Sequence, residues 1–222
     1  GFLTIQGGHR VGVAGKILME EGKVRSIRYI SFLNIRLAHQ VEGCADKVMP
    51  FIVENGEVCH TLIISPPCCG KTTLLRDVIR QISNGNAWCE GKNVGVVDER
   101  SEIAACHMGV PQNDLGERCE VLDTCPKSVG MRMLLRSMSP EILAVDELGS
   151  AEEFEMVQEA MNSGVYVLGT MHAGNVTELI LHKGMKIKRG QKDTVRLIEI
   201  GRNGTRRQYR VYNGEGERLW ES

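Results

Sequence analysis

Residues 65–73, SPPCCGKTT, carry side chains of the kinds that bind the phosphates of a nucleotide. In such a loop, consecutive backbone N–H groups point at phosphate oxygens where a helix begins. A lysine adds charge for the terminal phosphates, and a threonine hydroxyl joins the ligand shell of a magnesium ion. The stretch therefore predicts a site for ATP and Mg²⁺. We assign these residues to it: Ser65, Pro66, Pro67, Cys68, Cys69, Gly70, Lys71, Thr72 and Thr73.

Two positions of this loop depart from the usual pattern G-x-x-x-x-G-K-[ST]. Ser65 replaces the first glycine, which is a mild change because that position is near the end of a strand. Cys68 stands where a relaxed version of the loop carries a glycine. If its backbone takes a positive φ, its Cβ costs on the order of 1 kcal/mol. We expect nucleotide binding to be about tenfold weaker as a result, but not abolished. The competing interpretation, a strand–turn–helix without a ligand, is disfavoured by G-K-T-T at the turn.

A second acidic site is needed for hydrolysis, and EILAVDELG (141–149) predicts one. Four apolar residues lead into Asp146 and Glu147 at the carboxyl end of a strand, beside the expected position of the loop. We expect Asp146 to hold Mg²⁺ through water and Glu147 to polarise the attacking water. An acidic turn without a function is the alternative, and the phosphate loop weakens it.

Further candidate residues follow other predicted strands or lie on a predicted helix. Asp98 and Glu99 end the buried run VGVVDE and are assigned to magnesium and water. His172 ends the run VYVLGTMH. A single histidine is usually structural, but at this shared edge it is a candidate for sensing the γ-phosphate. Arg132 and Arg136 lie one helical turn apart before ILAVDE and are candidates for contacting a neighbouring subunit's nucleotide. Arg118 is a weaker candidate for the same contact.

The elements that must position these side chains alternate between strands and helices. Apolar runs at 61–65, 94–99, 142–147 and 165–172 are separated by stretches with helical periodicity, such as KTTLLRDVIRQIS. The apolar face predicted for this helix consists of Leu74, Leu75, Val78, Ile79 and Ile82. Strands that alternate with helical crossovers imply a mostly parallel sheet covered on both faces, so we predict an α/β fold. Ser150 is expected to cap the helix that follows ILAVDE.

The two ends of the chain are predicted to be rich in strands. Residues 1–42 alternate apolar and polar side chains but are too few to bury a core alone. Because Gly1 lies in what reads as the middle of a strand, we expect 1–42 to be the C-terminal part of a truncated N-terminal domain and its linker. Residues 43–222 are expected to form the ATPase domain. Its C-terminal end is basic and contains TVRLIEI and RQYRVY around the turn signal RNGT.

Composition excludes several classes of protein. The 222 residues carry a formal net charge of −1, which does not fit a general nucleic-acid binder, and no apolar run reaches the length of a membrane span. None of the eight cysteines forms a C-x-x-C pair, which favours reduced thiols over a zinc site. The basic C-terminal residues are interpreted either as a solvated face or as a docking surface for anionic lipid, nucleic acid or an acidic partner. They are Lys183, Lys186, Lys188, Arg189, Lys192, Arg196, Arg202, Arg206, Arg207 and Arg210.

The motifs between residues 61 and 175, in their order, resemble those of the secretion ATPase superfamily, the motors of type II and type IV secretion and of pilus retraction. A longer set of segments resembles the stage III sporulation AA family of endospore formers over nearly the whole chain. The segments are GGHRVGVAGK, ISFLNIRLA, SPPCCGKTTLLRD, VGVVDERSEIA, GVPQNDLGERCEVLD and LLRSMSPEILAVDELG.

This resemblance implies a RecA-like core of the P-loop, AAA-type ATPases, with Walker A and Walker B motifs, behind a small β-containing N-terminal domain. It also implies a homo-hexameric ring that is cytoplasmic and peripheral to the mother-cell membrane, with membrane proteins of a sporulation channel as partners. The family's loop reads S-P-P-G-C-G-K-T-T, so Ser65 is normal there and Cys68 is the departure. Ser150 stands where the resemblance implies an arginine.

Three functions stay open at this point. The first is an ATPase that drives assembly of, or transport through, a secretion-like channel. The second is a P-loop ATPase that acts on single-stranded nucleic acid through the basic C-terminal region, although the net charge gives no reason to expect nucleic acid as a partner. The third is a nucleotide-binding assembly factor with little turnover, because of the altered loop.

Overall fold

A computed structural model describes residues 2–182, 194–204 and 206–222. The helices are α1 Met49–Ile52, α2 Lys71–Asn84, α3 Lys127–Ser137, α4 Ala151–Asn162 and α5 Val176–His182. The strands are β1 Phe2–Ile5, β2 His9–Glu20, β3 Lys23–Arg36, β4 Val53–Glu54, β5 Glu57–Val58, β6 His60–Ser65, β7 Val94–Asp98, β8 Cys119–Asp123, β9 Ile142–Val145, β10 Tyr166–His172, β11 Val195–Asn203, β12 Arg206–Asn213 and β13 Arg218–Glu221.

Eight strands form the main sheet, in the order β13-β12-β11-β6-β10-β9-β7-β8. The strands from β11 to β8 pair in parallel, whereas β12 and β13 pair antiparallel at one side. The strands of this sheet do not follow one another in sequence order. Parallel neighbours need crossover connections, and the helices supply them. The predicted α/β architecture with a mostly parallel sheet is confirmed.

The strands bury both of their faces, which explains their continuous apolar sequences. In β6, Ile63 packs into the apolar cluster on the α2 side, while Leu62 and Ile64 pack into the cluster on the side of α3, α4 and α5. Alternate residues of a strand point to opposite faces, so one short run serves both clusters. The sheet is thereby held between two helical layers.

Helix α2 carries the phosphate loop at its start and buries one apolar face against the sheet. The five residues predicted to form that face are all buried: Leu74, Leu75, Val78, Ile79 and Ile82. Asp77 is buried among them and accepts hydrogen bonds from the Ala45 N–H at 2.8 Å and from Arg80. Burial raises the pKa of Asp77, but these hydrogen bonds outweigh it and leave the pKa below its usual value. The carboxylate therefore ties the segment before α1 to the helix that positions the loop.

The first three strands form a separate antiparallel sheet that reaches the main sheet through polar contacts. Arg10 of β2 pairs with Glu102 at 3.0 Å and donates to the carbonyl oxygens of Arg100 and Ser101. These bonds attach the small sheet to the loop that follows β7. Large apolar side chains on β2 and β3 are exposed: Ile17, Met19, Val24, Ile30, Phe32, Leu33 and Ile35.

Some details differ from the sequence expectation. The stretch ADKVMPFIV reads as a helix interrupted by Pro50, but the helix here is only α1, and Pro50 stands in its first turn. Proline is tolerated there because the first N–H groups of a helix have no intrahelical partner. Of the basic C-terminal residues, Lys183, Lys186, Lys188, Arg189 and Lys192 lie outside the described residues. Each helix of the described part of the chain is too short or too polar to cross a membrane.

Helix α4 begins at the predicted cap. The Ser150 hydroxyl accepts the Glu153 N–H at 3.2 Å, and the Glu153 carboxylate accepts the Ser150 N–H at 3.2 Å, which completes a capping box. We expect Ser150→Ala to lower the free energy of unfolding by about 1 kcal/mol, because the Glu153 N–H at the helix start loses its acceptor. Urea denaturation measures the change. Ser163→Ala at the other end of α4 is the matched control and is expected to cost less than about 0.5 kcal/mol. Equal losses in the two variants would show that the cap adds nothing.

Candidate functional site

Four neighbouring parallel strands end at one edge of the main sheet, and each delivers a predicted site residue there. Ser65 at the end of β6 is in register with His172 at the end of β10. Asp146 and Glu147 follow β9, and Asp98 ends β7. The edge is therefore a meeting point of the phosphate loop, the acidic pair and the histidine, as the sequence predicts for carboxyl ends of parallel strands.

The phosphate loop contains two residues with left-handed backbone angles. Gly70, directly before α2, has φ of 99°, and Cys68 has φ of 60°. Cys68 is thus in the conformation for which a Cβ is costly, which is the condition for the weakened binding predicted above. Its side chain is exposed, whereas that of Cys69 is buried and donates to the Pro67 carbonyl at 3.6 Å. On the first turn of α2, the Thr73 carbonyl accepts the Cys44 thiol at 3.6 Å.

Lys71 is buried and bound by the loop's own oxygens. Its Nζ donates to the Ser65 carbonyl at 3.1 Å, to the Ser65 hydroxyl at 3.2 Å and to the Pro66 carbonyl at 3.2 Å. It also lies 3.0 Å from His172 Nδ1. Burial lowers the pKa of Lys71, opposed by the nearby carboxylates of Asp146 and Glu147. The ammonium is placed to exchange these oxygens for those of a phosphate.

The contact with Lys71 indicates the tautomer of the histidine ring. A lysine ammonium can only donate, so His172 Nδ1 must be the acceptor. The neutral ring then carries its hydrogen on Nε2, which is 3.2 Å from Glu147 Oε1 and donates to it. His172 therefore connects the phosphate-loop lysine to the carboxylate predicted to act on water.

Asp146 is held by two hydroxyl groups. Thr72 Oγ1 donates to its Oδ2 at 2.6 Å, and Thr170 Oγ1 donates to its Oδ1. A hydroxyl and a carboxylate side by side are hard oxygen donors of the kind that Mg²⁺ prefers, with water and phosphate oxygens completing its shell. Among the described residues no group of three or more His, Cys, Asp or Glu could hold a metal by itself. The residues present fit an ion that takes most of its ligands from a nucleotide and water.

Glu147 has a strained backbone and a fixed carboxylate. Its φ is 53°, an uncommon value for a residue with a Cβ, and such strain is often found at functional sites. Its Oε2 is 2.6 Å from Arg100 Nη1, while its backbone carbonyl accepts from Lys127 Nζ at 2.6 Å. Its N–H donates to the Thr170 hydroxyl at 2.9 Å. Contacts on every side thus offset an unfavourable conformation.

Asp98 and Glu99 differ in their surroundings, although both line one small cleft with Asp146 and Glu147. The Asp98 carboxylate is buried and accepts the N–H groups of residues 102, 103 and 104 at 2.8 to 2.9 Å. Burial also raises its pKa. With both oxygens bound to the chain, this geometry favours a role in shaping the loop over the predicted handling of magnesium and water. Glu99 is half-exposed and lies 3.6 Å from Lys127 Nζ.

The candidate arginines lie away from the phosphate loop of their own chain. Arg132 and Arg136 are on the exposed side of α3, where Arg132 contacts the Met156 sulfur at 3.6 Å. Arg118, a weaker candidate, donates to the Ser83 carbonyl at the far end of α2, about 20 Å from the loop at 1.5 Å per helical residue. A contact with a neighbouring subunit's nucleotide stays a prediction for all three.

Sequence reasoning missed three residues that hold the acidic pair in place. Thr170 lies two residues before His172 in β10 and so shares its face, a periodicity that could have indicated it. Arg100 directly follows Asp98 and Glu99, which the sequence predicts to belong to the site, and its positive charge beside them could have indicated it. Lys127 begins α3 and contacts Glu147, Glu99 and Glu153. Nothing in the local sequence indicates this last role.

The chain is similar to known proteins along nearly its full length. The family model described as sporulation stage III, protein AA, matches residues 1–219. A curated relative, stage III sporulation protein AA of Bacillus subtilis (strain 168), is 41% identical over 220 residues, which cover 99% of this chain and 71% of that protein.

Solved structures share the fold at low sequence identity. The ATPase DotB of Legionella pneumophila is 18% identical with a TM-score of 0.58, and the match covers 95% of this chain and 55% of that one. The pilus retraction motor PilT with bound ADP is also 18% identical with a TM-score of 0.59, covering 92% and 60%. The chain thus spans about half to three fifths of these solved chains. The likeness confirms the predicted RecA-like core with a small β-containing part before it.

The left-handed φ of Cys68 generates a prediction on nucleotide affinity. Cys68→Gly should bind Mg-ATP a few-fold more tightly, by about 0.5 to 1 kcal/mol, because glycine removes the steric cost while adding freedom to the unbound loop. Isothermal titration calorimetry measures the affinity. Cys68→Ala is the control, since it removes the thiol but keeps the Cβ and should bind like the parent. A gain in the alanine variant equal to that of glycine would assign the effect to the thiol and refute the strain argument.

Proposed function

The chain belongs to the sporulation stage III protein AA family, and we propose that it is an ATPase. It couples ATP binding and hydrolysis to assembly of, or transport through, a secretion-like channel during sporulation. The observation that carries this proposal is the continuous contact from Lys71 through His172 to Glu147, beside the Thr72–Asp146 pair. In this proposal the groups for phosphate, magnesium and water belong to one network at one edge of the sheet.

Each group has a defined task in this proposal. The backbone of residues 65–73 and the Lys71 ammonium bind the phosphates, and Thr72 with Asp146 holds Mg²⁺, which neutralises phosphate charge when bound. Glu147, as a carboxylate, orients the attacking water and accepts its proton. His172 lies between Lys71 and Glu147, so it responds when a γ-phosphate draws the Lys71 ammonium away from the ring.

The assembly and its location are part of the proposal. We place the protein as a homo-hexamer at the cytoplasmic side of the mother-cell membrane, with membrane proteins of the channel as partners. The ATPases named above support a secretion-like motor, and residues 1–42 would be the end of the N-terminal domain of such a motor. Arg132 or Arg136, exposed on α3, would then reach the nucleotide of the adjacent subunit.

A second candidate is a nucleotide-binding assembly factor with little turnover. The strained Cys68 in the loop favours it, because weaker phosphate binding reduces the energy available for a catalytic cycle. A phosphate-release assay on the parent protein separates the two candidates. Steady release of phosphate supports the ATPase, whereas nucleotide binding without release supports the assembly factor.

Glu147→Gln tests the chemistry. The variant should bind ATP with parental affinity and hydrolyse it at least about tenfold more slowly, because the amide cannot accept the proton of the attacking water. Calorimetry and phosphate release measure the two steps. Lys71→Ala is the companion variant and should lose ATP binding while keeping the parental circular dichroism spectrum. Unchanged hydrolysis by the glutamine variant would move the catalytic role toward Glu99.

His172→Ala tests the connection between the loop and the carboxylate. It should keep the parental affinity for ADP and lose the preference for ATP over ADP, because the ring is the contact through which Lys71 reaches Glu147. Titrations with both nucleotides and a thermal melt measure this. A parallel loss of both affinities together with a lower melting temperature would make the histidine structural only.

A further inference from the structure

The hairpin of β11 and β12 runs alongside the strand that leads into the phosphate loop. Strand β11 pairs in parallel with β6, with Glu199 in register with Ile64. Because both strands run in the same direction, residues shortly after Glu199 extend beside the loop that follows β6. Arg202 of β11 is in register with Arg207 of β12, so two guanidinium groups leave the hairpin at that edge.

Each of these arginines touches one of the two left-handed residues of the loop. Arg202 Nη2 donates to the Cys68 carbonyl at 2.9 Å. The Arg207 guanidinium lies against Gly70, where a Cβ placed on the glycine would be 2.8 Å from its Cζ. The positions at which the loop bends toward a phosphate are therefore those that the hairpin contacts.

Arg202 and Arg207 differ from the other arginines of the C-terminal strands in their ion pairs. Arg196, Arg210 and Arg218 each form an ion pair with a glutamate. Within residues 2–182, 194–204 and 206–222, no carboxylate pairs with Arg202 or Arg207, and both side chains are exposed. Two cations without a described acidic partner, next to a phosphate loop, fit an anion with several oxygens, for which the guanidinium fork is well suited.

We propose that Arg202 and Arg207 are a same-chain arginine pair of the phosphate site. Arg207 binds phosphate oxygens of the nucleotide held by its own chain. Arg202 is a positioning residue: its charge-assisted hydrogen bond keeps the Cys68 carbonyl turned away from the phosphates and so offsets the cost of a left-handed residue with a Cβ. This inference rests on the proposed nucleotide site and adds to it residues from the C-terminal hairpin.

Nucleotide binding by Arg207 variants tests the first half. Arg207→Gln should bind Mg-ATP about tenfold more weakly, the loss typical of one charge-assisted hydrogen bond, and Arg207→Lys should fall between it and the parent. Tripolyphosphate, which has no base or sugar, should lose affinity by the same factor, measured by competition against a fluorescent ATP analogue whose own Kd is determined for each variant. Arg218→Gln, on the same antiparallel side of the sheet but paired with Glu221, is the matched control and should bind like the parent.

The outcomes separate this inference from the proposed function. A parent protein that binds no ATP would overturn both. A parent that binds ATP while Arg207→Gln binds equally well would overturn only the role of Arg207. If the glutamine variant melts at a lower temperature, Arg207→Lys decides, since it keeps the charge and loses the fork. Parental affinity in the lysine variant would then overturn the role assigned to the guanidinium fork, since a positive charge alone would account for the binding.

Coupling to Cys68 tests the positioning role of Arg202. Arg202→Gln should weaken ATP binding about tenfold in the parent but no more than about twofold in the Cys68→Gly background, because glycine takes the left-handed conformation without support. A residue that only stabilised the fold would weaken both backgrounds equally, and that result would refute the positioning role.

A mixing experiment tests whether the pair acts within one chain. Arg207→Gln subunits bind ATP weakly, and Lys71→Ala subunits cannot bind it but carry an intact Arg207. Titration of the equimolar mixture should show no tight sites, because the arginine serves its own loop. If Arg207 instead served the neighbouring subunit, about half of the Arg207→Gln subunits would have a Lys71→Ala neighbour that supplies an intact Arg207, and these would regain tight binding. That result would overturn the same-chain assignment.

Discussion

The Asp146 carboxylate makes the hydrogen bonds on which the arrangement of the site depends. It accepts from Thr72 at the start of α2 and from Thr170 in β10, and it follows β9 directly. One side chain thus fixes the first turn of a helix against the ends of two strands. These bonds have a precise geometry only because β9, β10 and β6 are parallel and in register, so that their ends lie at one level. Because one of its partners is the Thr72 hydroxyl, a carboxylate and a hydroxyl oxygen stand side by side here, and both are of the kind that Mg²⁺ prefers.

Lys71, His172, Glu147 and Arg100 form a chain of contacts that starts in the loop and ends at the surface. Because each group holds the next, a phosphate that drew Lys71 away would remove the hydrogen-bond donor from Nδ1 of His172 and would thereby alter the contact between that ring and Glu147. Coupling of this kind is reciprocal by thermodynamic necessity, so a partner that displaced Arg100 from Glu147 would alter the nucleotide affinity of the proposed site. Arg100 lies in the same segment whose backbone carbonyls bind Arg10 of the small sheet. The site is thus physically connected to the part of the chain that precedes it.

The sequence was sufficient to predict the four strands that end at the candidate site, because each is an apolar run that ends in polar residues. It also predicted the face of α2 and the Ser150 cap, which are local patterns. It did not predict β8 or α5, whose sequences are short and partly polar. Nor could it predict that Lys127 lies beneath Glu147, since that contact depends on how α3 packs and leaves no periodic signal. Patterns within one helix or strand can be predicted from neighbouring residues in the sequence. Contacts between distant elements depend on the order of the strands in the sheet, which the sequence does not give directly.

Cys68 shows how a local rule can be correct and still incomplete. The rule that a Cβ is costly at positive φ applies here, because the residue has φ of 60°. The rule treats the loop as though it stood alone, but the carbonyl of the same residue accepts a hydrogen bond from Arg202, 134 positions away. A charge-assisted bond of this kind contributes about as much as the strain costs, on the order of 1 to 2 kcal/mol. The effect of a cysteine at this position therefore depends on the hairpin beside it, so a loop that departs from its pattern has to be judged together with the neighbouring strand.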